Sequence, residues 1–196
     1  YCRKAENAMS MPTPLINVMN NAARKASRLL MRDFGEVEQL QVSRKGPGDF
    51  VSEADKRTEE ILHEELHKAR PGFGFLMEEG GTIEGENANE RWIIDQIDGT
   101  TNFLHGIPHF SISIAVERDK ELVAGMVYEP VRDEVFWAER NEGAYLNRQR
   151  LRVSGRSDMR DALLATGIPF GNRPGKKAFS AMLNVVMNRT AGVRRQ

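Results

Sequence analysis

Three groups of acidic side chains stand where the hydrophobic pattern predicts a helix start or a strand end. They are Asp55, the neighbours Glu78 and Glu79, and the pair Asp95 and Asp98. Asp95 ends the apolar run 92–94, and Asp98 follows across a turn, so both carboxylates can face one point with the Ile97 carbonyl between them. Mg²⁺ prefers carboxylate and carbonyl oxygens, whereas Zn²⁺ favours Cys and His. The pattern therefore indicates magnesium rather than zinc.

A single acidic residue in a turn is usually solvated and has no chemical role. Several carboxylates gathered at a dry strand end would repel one another, so such a cluster would need cations. The small residues 99–102 come next, before Phe103, and they can leave backbone N–H groups free at a helix start, where anions bind. Phosphoryl transfer requires acidic side chains that bind cations next to backbone amides that bind phosphate. The alternative is a purely structural Asp-Gly turn.

Residues 92–103, Trp-Ile-Ile-Asp-Gln-Ile-Asp-Gly-Thr-Thr-Asn-Phe, closely resemble the first signature of the inositol monophosphatase family of Mg²⁺-dependent, lithium-sensitive phosphatases. Residues 49–55 and 75–80 resemble the two upstream acidic motifs of that family, in the right order and at plausible distances. Three ordered motifs are far more specific than one, and the resemblance runs from about Leu15 to the last residue.

The resemblance implies an α+β fold, a layered αβαβα sandwich of the sugar-phosphatase type, in a cytoplasmic homodimer. It implies hydrolysis of a small phosphomonoester by a metal-activated water, with two or three Mg²⁺ ions and with Li⁺ as an inhibitor. The expected substrate is myo-inositol 1-phosphate. Histidinol phosphate and other sugar or nucleotide phosphates are the alternatives within the family. The resemblance implies no membrane partner.

The resemblance also assigns roles to residues. Glu78, Asp95 and the Ile97 carbonyl would hold the first Mg²⁺, and Asp95 and Asp98 would share the second. Thr100, hydrogen-bonded near Glu78, would position the attacking water. The predicted catalytic residues are Glu78, Thr100 and Asp55, the last ordering the site from behind, and Glu79 would orient further waters. The predicted substrate-binding residues are Glu78, Ile97, Asp98, Gly99 and Thr100.

Two departures from the family pattern matter. Gln96 stands where the family usually has proline, which should alter the rigidity of the turn more than metal binding. The sequence stops after residues 192–195, which resemble the start of a substrate-binding stretch, so the family's second signature, with a further metal aspartate, is not found in it. The expectation is a sandwich whose second half is incomplete and a chain that is a weak catalyst or none.

A rival motif lies at residues 63–67, His-Glu-Glu-Leu-His, which matches the H-E-x-x-H pattern of zinc proteases. Glu65 puts a charge where such sites are usually apolar, and Pro71 prevents the extended histidine continuation, so a solvated helix flank is the preferred interpretation. His105 and His109 follow the main motif and could border the substrate, although exposed structural histidines are the simpler interpretation.

The 196 residues have equal numbers of basic and acidic side chains, 28 of each, but their distribution is uneven. Residues 1–139 sum to −9 and residues 140–196 to +9. A basic region of this kind allows a second class of function, an RNA or transcription-complex binding module that uses the region from Arg140 onward. A solvated surface is the simpler interpretation.

The composition fits one domain of a soluble globular protein, with 40% apolar and 29% charged residues. No apolar run approaches the roughly 18 residues of a membrane span, and one cysteine, Cys2, excludes an internal disulfide and suits a reducing cytoplasm. Residues 1–10 are expected to be an expression remnant or a disordered segment, and residues 11–196 the phosphatase-like domain, with its C-terminal part missing.

The spacing of apolar residues predicts the elements that must position these groups. Helical spacing predicts a helix over 14–34 that stops at Gly35, one that begins after Ser52 and ends before Pro71, and one over 178–187. Residues 45–49 are predicted to be a loop. Short strands are predicted at 73–77, 92–95, 110–116, 123–128, 135–138, 143–146 and 163–166, the third to fifth forming an antiparallel meander.

Overall fold

The structure, a computed structural model, describes the backbone of residues 3–4, 11–36, 42–46, 49–169, 171–172 and 174–195, and the side chains of 11–36, 53–169, 171–172 and 174–195. The helices are α1 (Pro14–Phe34), α2 (Glu53–Ala69), α3 (Thr100–Leu104) and α4 (Lys176–Met187), with a short 3-10 helix at Met159–Asp161. The strands are β1 (Arg3–Lys4), β2 (Val42–Gly46), β3 (Asp49–Ser52), β4 (Gly74–Met77), β5 (Gly81–Ile83), β6 (Glu90–Asp98), β7 (Ser111–Arg118), β8 (Glu121–Glu129), β9 (Glu134–Glu139), β10 (Gly143–Leu146), β11 (Gln149–Arg152), β12 (Leu163–Thr166) and β13 (Gly192–Arg195).

Local signals set the ends of α1, which matches its predicted span. The Thr13 hydroxyl accepts a hydrogen bond from the Ile16 backbone at 3.3 Å, and Pro14 takes the first helical position, where its missing N–H costs nothing. Gly35 caps the carboxyl end by donating its N–H to the carbonyls of the last turn. One face of α1 is buried, and it packs against α2 and against β8.

A nine-stranded sheet in the order β1-β11-β10-β9-β8-β7-β6-β4-β5 forms the centre of the fold. The predicted meander is confirmed, since β7, β8 and β9 pair antiparallel through the turns at 119–120 and 130–133. The pairing of β4 with β6 is parallel, with Met77 opposite Ile94. The pairing therefore stops at one edge of the sheet, where β4 ends and β6 continues to Asp98, and this is the feature that builds the site.

The core lies between the sheet and the layer formed by α1 and α2. Trp92 and Ile94 on β6 and Ile112 and Ile114 on β7 alternate inward, where α2 packs against β6 and α1 packs against β7. Helices packed on one face of a mostly antiparallel sheet confirm the predicted α+β layered fold. None of the helices in the described ranges has the length and apolar character that crossing a bilayer demands.

Several strands differ from their predictions. Residues 45 and 46 lie in β2 and residue 49 in β3, so most of the predicted loop belongs to a hairpin, irregular between Arg44 and Gly46. The strands β5, β11 and β13 have little apolar alternation and were not predicted. Arg3 and Lys4, inside the segment set aside from the fold, pair with β11.

Beyond β11 the chain forms a separate small unit. The parallel strands β12 and β13 are joined through α4, and Leu164 pairs with Val193. Among the described side chains that follow Tyr145, none is buried. The strands β12 and β13 therefore depend on their pairing with each other rather than on a buried core.

Candidate active site

The acidic side chains converge at the point where the pairing of β4 with β6 ends. Met77 is opposite Ile94 in the parallel pair, so Glu78 and Asp95 are the next residues along β4 and β6 at one edge. Residues three apart in a regular strand point to opposite faces. Along β7, however, Asp95 pairs with Ser113 and Asp98 with Ser111, so β6 holds one extra residue. This bulge turns Asp98 to the side of Asp95.

Asp95 is the most strongly perturbed acid at this edge. Its pKa is raised from the ordinary 3.8 to about 7, first by burial and then by the nearby carboxyl groups of Glu78 and Asp98. The Ile97 N–H donates a hydrogen bond that opposes this shift. The Asp95 Oδ1 atom is buried and has no hydrogen-bond partner. The structure therefore brings the carboxyl groups of Glu78 and Asp98 close to that of Asp95.

This donor set can be tested against the magnesium implied by the sequence. It consists of carboxylates and a carbonyl with no Cys or His, which suits a hard cation, and the unpartnered Asp95 Oδ1 is an open ligand atom. A cation would also offset the crowding of charge that raises the pKa of Asp95. Among the described residues, no three Asp, Glu, His or Cys side chains form a finished cation site. The residues fit the metal in type and charge.

Gly99 and Thr100 form the turn that follows the acids. Gly99 has φ +94°, and a Cβ there would lie 3.1 Å from the His109 carbonyl oxygen, so only glycine fits. The Thr100 hydroxyl donates to the Ile97 carbonyl at 2.9 Å. This hydroxyl was expected to form a hydrogen bond near Glu78, but it bonds to the Ile97 carbonyl instead. The reason is local, since a carbonyl three residues earlier is the nearest acceptor to a threonine in a first helical turn.

The turn that carries Glu78 is held from α2 by a residue that the sequence analysis missed. Glu59 is 8% exposed, and its Oε2 accepts the Glu79 N–H at 3.0 Å. Asp55, one helical turn earlier on the same face, is also buried. The missed signal was an acidic residue at the spacing of the apolar stripe that contains Leu62 and Leu66.

The histidine pair of the rival motif is structural in this fold. The rings of His63 and His67 stack with centroids 5.8 Å apart, and His63 also packs on Phe75 at 4.5 Å. Burial, and then the neighbouring His67, lower the pKa of His63. These contacts place both histidines on the flank of the apolar stripe of α2.

The remaining candidates lie outside the acidic cluster. His105 and His109 are in the exposed loop between α3 and β7, where the His109 carbonyl accepts a hydrogen bond from the Asn102 amide at 2.8 Å. In the basic region, Arg140 is paired with Glu121, and Arg160 with Asp158 at 2.6 Å. These pairs neutralise part of the positive charge counted in the sequence.

A layered α+β fold that collects carboxylates at the ends of two parallel strands, beside a glycine turn, is the framework of a phosphatase. A sequence model of the inositol monophosphatase family matches residues 11–196. The chain belongs to this family of phosphatases, and the resemblance seen in the sequence is confirmed.

Curated relatives and solved structures agree with this assignment. The inositol-1-monophosphatase of Mesorhizobium japonicum is 55% identical over 181 residues, 92% of this chain and 68% of the relative. The Nus factor SuhB of Escherichia coli is 37% identical over 182 residues, 93% of this chain and 68% of the relative. The crystal structure of the extragenic suppressor protein SuhB from Bartonella henselae superposes with a TM-score of 0.89 at 52% identity, covering 93% of this chain and 70% of that one.

Proposed function

We propose that this protein hydrolyses a small phosphomonoester in a Mg²⁺-dependent reaction, and that myo-inositol 1-phosphate is its substrate. The substrate rests on the names of its relatives, since the inositol-1-monophosphatases of Mesorhizobium japonicum and Rhizobium meliloti are 55% and 53% identical to it. Histidinol phosphate and other sugar or nucleotide phosphates are the competing substrates.

The single observation that carries the reaction type is the convergence of Glu78, Asp95 and Asp98. The half-buried Asp95 lies close to the exposed carboxyl groups of Glu78 and Asp98, and burial followed by these two charges raises the pKa of Asp95. Such an arrangement destabilises a protein unless a cation neutralises it, and it persists where function needs the cation. We propose that Glu78, Asp95 and the Ile97 carbonyl hold one Mg²⁺, and that Asp95 and Asp98 hold a second. A third ion and inhibition by Li⁺ are part of the same proposal.

When bound, Mg²⁺ neutralises phosphate charge and lowers the pKa of a coordinated water. The residues of the chain supply the rest. The Thr100 hydroxyl donates its only hydrogen to the Ile97 carbonyl, so its oxygen is left as a hydrogen-bond acceptor. That oxygen would orient a water by accepting a hydrogen bond from it. Gly99 and Thr100 would present backbone N–H groups to phosphate oxygens, because the first amides of a helix have no partner within it. Asp55 would order the acids from α2, and Glu79 would orient further waters.

A phosphate-release assay tests this proposal. In the complete protein, the wild type should release phosphate from myo-inositol 1-phosphate with Mg²⁺ and not with EDTA, and Li⁺ should inhibit it. Asp95→Asn should reduce the rate by about 100-fold or more, because the carboxylate shared by both ions is lost. Asp161→Asn, an exposed acid outside the site, is the matched control and should keep the wild-type rate. Equal rates for the two variants would refute the metal assignment.

A substrate panel tests the finer statement. Histidinol phosphate, fructose 1,6-bisphosphate and nucleotide phosphates should be cleaved more slowly than myo-inositol 1-phosphate. A wide preference for histidinol phosphate would remove inositol phosphate as the substrate while leaving the phosphatase assignment in place. We further propose a homodimer in the cytoplasm, which sedimentation equilibrium and cell fractionation would examine.

A second function is favoured by a separate finding, the relatives named Nus factor SuhB, which are 37% to 42% identical to this chain. We propose RNA or a transcription complex as the partner in that case, bound through the basic region after Arg140. Binding through several arginines should weaken steeply as salt rises, whereas phosphate release should not follow that slope. Salt-titrated RNA binding beside the phosphatase assay separates the two functions, and tight RNA binding without phosphatase activity would favour the second.

A further inference from the structure

The carboxylate of Glu59 lies in an unfavourable place for a charge. It is on the inner face of α2, 8% exposed, one helical turn beyond the buried Asp55. Burial raises the pKa of Glu59, and the nearby charges of Glu79 and Glu78 raise it further. A buried acid among other acids is costly unless it makes hydrogen bonds that nothing else supplies.

Glu59 does make such bonds, and both go to one turn. Its Oε2 accepts the backbone N–H of Glu79 at 3.0 Å, and the N–H of Gly80 also donates to its carboxylate. These are the two residues that follow Glu78 directly. Charge-assisted hydrogen bonds to two successive amides fix the path of the backbone, so Glu59 sets the direction in which Glu78 leaves β4.

The turn needs an anchor because its own hairpin is weak. Residues 78–80 connect β4 to β5, strands of four and three residues, and β5 is the last strand of the sheet. A short edge strand that is paired on one side only gives little rigidity. The helix α2, in contrast, is fixed in the core by Leu62 and Leu66, which are fully buried.

The residue at position 80 fits this contact closely. A Cβ at Gly80 would lie 3.0 Å from Glu59 Oε1 and 2.7 Å from the terminal methyl group of Met77. A larger residue would displace the Met77 methyl group and press on the Glu59 carboxylate, which holds the turn. Glycine at this position therefore allows the backbone to approach Glu59.

We propose that Glu59 is a positioning residue for the metal site: from the core helix α2 it clamps the turn 78–80 and so aims Glu78 at Asp95. This inference rests on the proposed function. It predicts that loss of the clamp weakens cation binding without removing any ligand, as loss of an outer hydrogen-bond partner does in metal sites.

The test is the Mg²⁺ concentration at the midpoint of thermal stabilisation, measured on the whole chain against NaCl at matched ionic strength. Glu59→Gln should raise this midpoint roughly 10- to 100-fold. Glu60→Gln, an exposed neighbour on the same helix, is the matched control and should keep the wild-type midpoint. A midpoint for Glu59→Gln equal to that of wild type would overturn the inference.

Two further variants separate positioning from simple loss of charge. Glu59→Asp keeps the charge but withdraws the carboxylate from the two amides, and Gly80→Ala changes no charge but pushes the turn away. Both should raise the Mg²⁺ midpoint, whereas Gly155→Ala, with open space around it, should not. If both variants bind Mg²⁺ as wild type does, Glu59 does not position the site. If wild type itself shows no Mg²⁺ stabilisation, the proposed function fails first, and this inference fails with it.

Discussion

Residues 11–152 and residues 153–195 contain the same kinds of elements, yet only the first of these two regions has a core. Every buried side chain in the described parts of the chain belongs to the first region, which we call the sheet region. The second, the tail region, contains β12, α4 and β13 and leaves Met182, Val185 and Met187 about half exposed or more. Apolar spacing thus predicts a helix in both regions, but burial follows only where a sheet offers a face.

The difference indicates where the stability of the molecule lies. In the sheet region, α1 gains most of its stability from packing against α2 and β8, whereas α4 contacts only its own strand β13 appreciably. We therefore expect substitutions of the same chemistry to have very different effects in the two regions, and the following predictions test this from the largest effect to the smallest.

The largest contrast is between two methionines in helix interiors. Met19 on α1 is fully buried, and Met182 on α4 is 61% exposed. Met19→Ala should lower the free energy of unfolding by about 2–5 kcal/mol, because it leaves a cavity in the core. Met182→Ala should change it by less than about 0.5 kcal/mol. Helix propensity cancels between the two, since each replaces methionine by alanine inside a helix.

Urea unfolding followed by tryptophan fluorescence measures this contrast. Both tryptophans, Trp92 and Trp137, are buried in the sheet region, so the signal reports that region alone. Similar losses from the two substitutions would mean that α4 is packed against a surface in solution, and the division into two regions would then be wrong.

How much of the fold could be predicted depends on how local its signals are. The span of α1 is set by Thr13, Pro14 and Gly35, all adjacent to its ends, and it was predicted to the residue. The strand β13 contains two arginines and exists because its backbone pairs with β12, almost thirty residues earlier. No apolar pattern marks such a strand, since its partner and not its own composition holds it.

The second prediction compares two ion pairs of nearly equal length. Arg57 pairs with Asp33 at 2.7 Å across α1 and α2, and the Asp33 side chain is 5% exposed. Arg160 pairs with Asp158 at 2.6 Å in the tail region, with both side chains largely exposed. Asp33→Asn should lower the free energy of unfolding by about 1–3 kcal/mol, because the buried side chain loses its charge-assisted hydrogen bonds to Arg57 and Arg32.

Asp158→Asn serves as the control for this pair. Solvent screens an exposed ion pair, so this substitution should leave the unfolding curve nearly unchanged. The two variants are compared by urea unfolding at one pH and one salt concentration. Equal losses of unfolding free energy would show that the geometry of an ion pair, rather than its burial, decides how much it stabilises this protein.

The third prediction concerns a buried polar side chain next to the site that lowers the stability of the sheet region. Gln96 lies in the bulge of β6 between Asp95 and Asp98, is fully buried, and has no hydrogen-bond partner for either amide atom. Gln96→Met keeps the length of the side chain and removes both polar atoms. It should raise the free energy of unfolding by about 1 kcal/mol, since buried unsatisfied groups destabilise.

Gln149→Met is the matched control, because Gln149 is also in a strand but is exposed. Its unfolding midpoint in urea should stay at the wild-type value. A loss of stability in Gln96→Met would show that the amide has a bonded partner in solution, such as an ordered water.

The site was predicted where the residues are close in sequence and missed where they are not. The segment 95–100 contains two acids, a carbonyl and a turn, and its spacing alone indicated a cation near a phosphate. That Glu78 joins them depends on the register of β4 against β6, which only the resemblance implied. Glu59 bonds to backbone amides of a turn that lies twenty residues later in the chain. Nearly every residue has such an amide, so the sequence does not show which ones Glu59 contacts.

The smallest effect is expected from pH, and it too belongs to the sheet region, which contains all four histidines. The pKa of His63 is lowered by burial against Phe75, and next by His67, while Glu64 opposes the shift. Above the ordinary pKa of about 6.5, His63 is neutral in both states and costs nothing. As pH falls below that value, the unfolded chain binds the proton more readily than the folded one, so stability falls.

Comparison of wild type with His63→Gln in EDTA isolates this contribution. The raised pKa of Asp95 acts in the opposite direction, because protonation of that acid favours the folded, metal-free state as pH falls below about 7. Asp95 contributes equally to both proteins, so it cancels in their difference.

Between pH 7.5 and pH 5.5, about one unit on either side of the ordinary histidine pKa, wild type should lose stability relative to His63→Gln. His67→Gln removes only the second cause and should change the slope less, in the same direction. Parallel pH curves for wild type and His63→Gln would mean that the folded protein accepts the charge, and that the His63 ring is more open to water than its packing on Phe75 indicates.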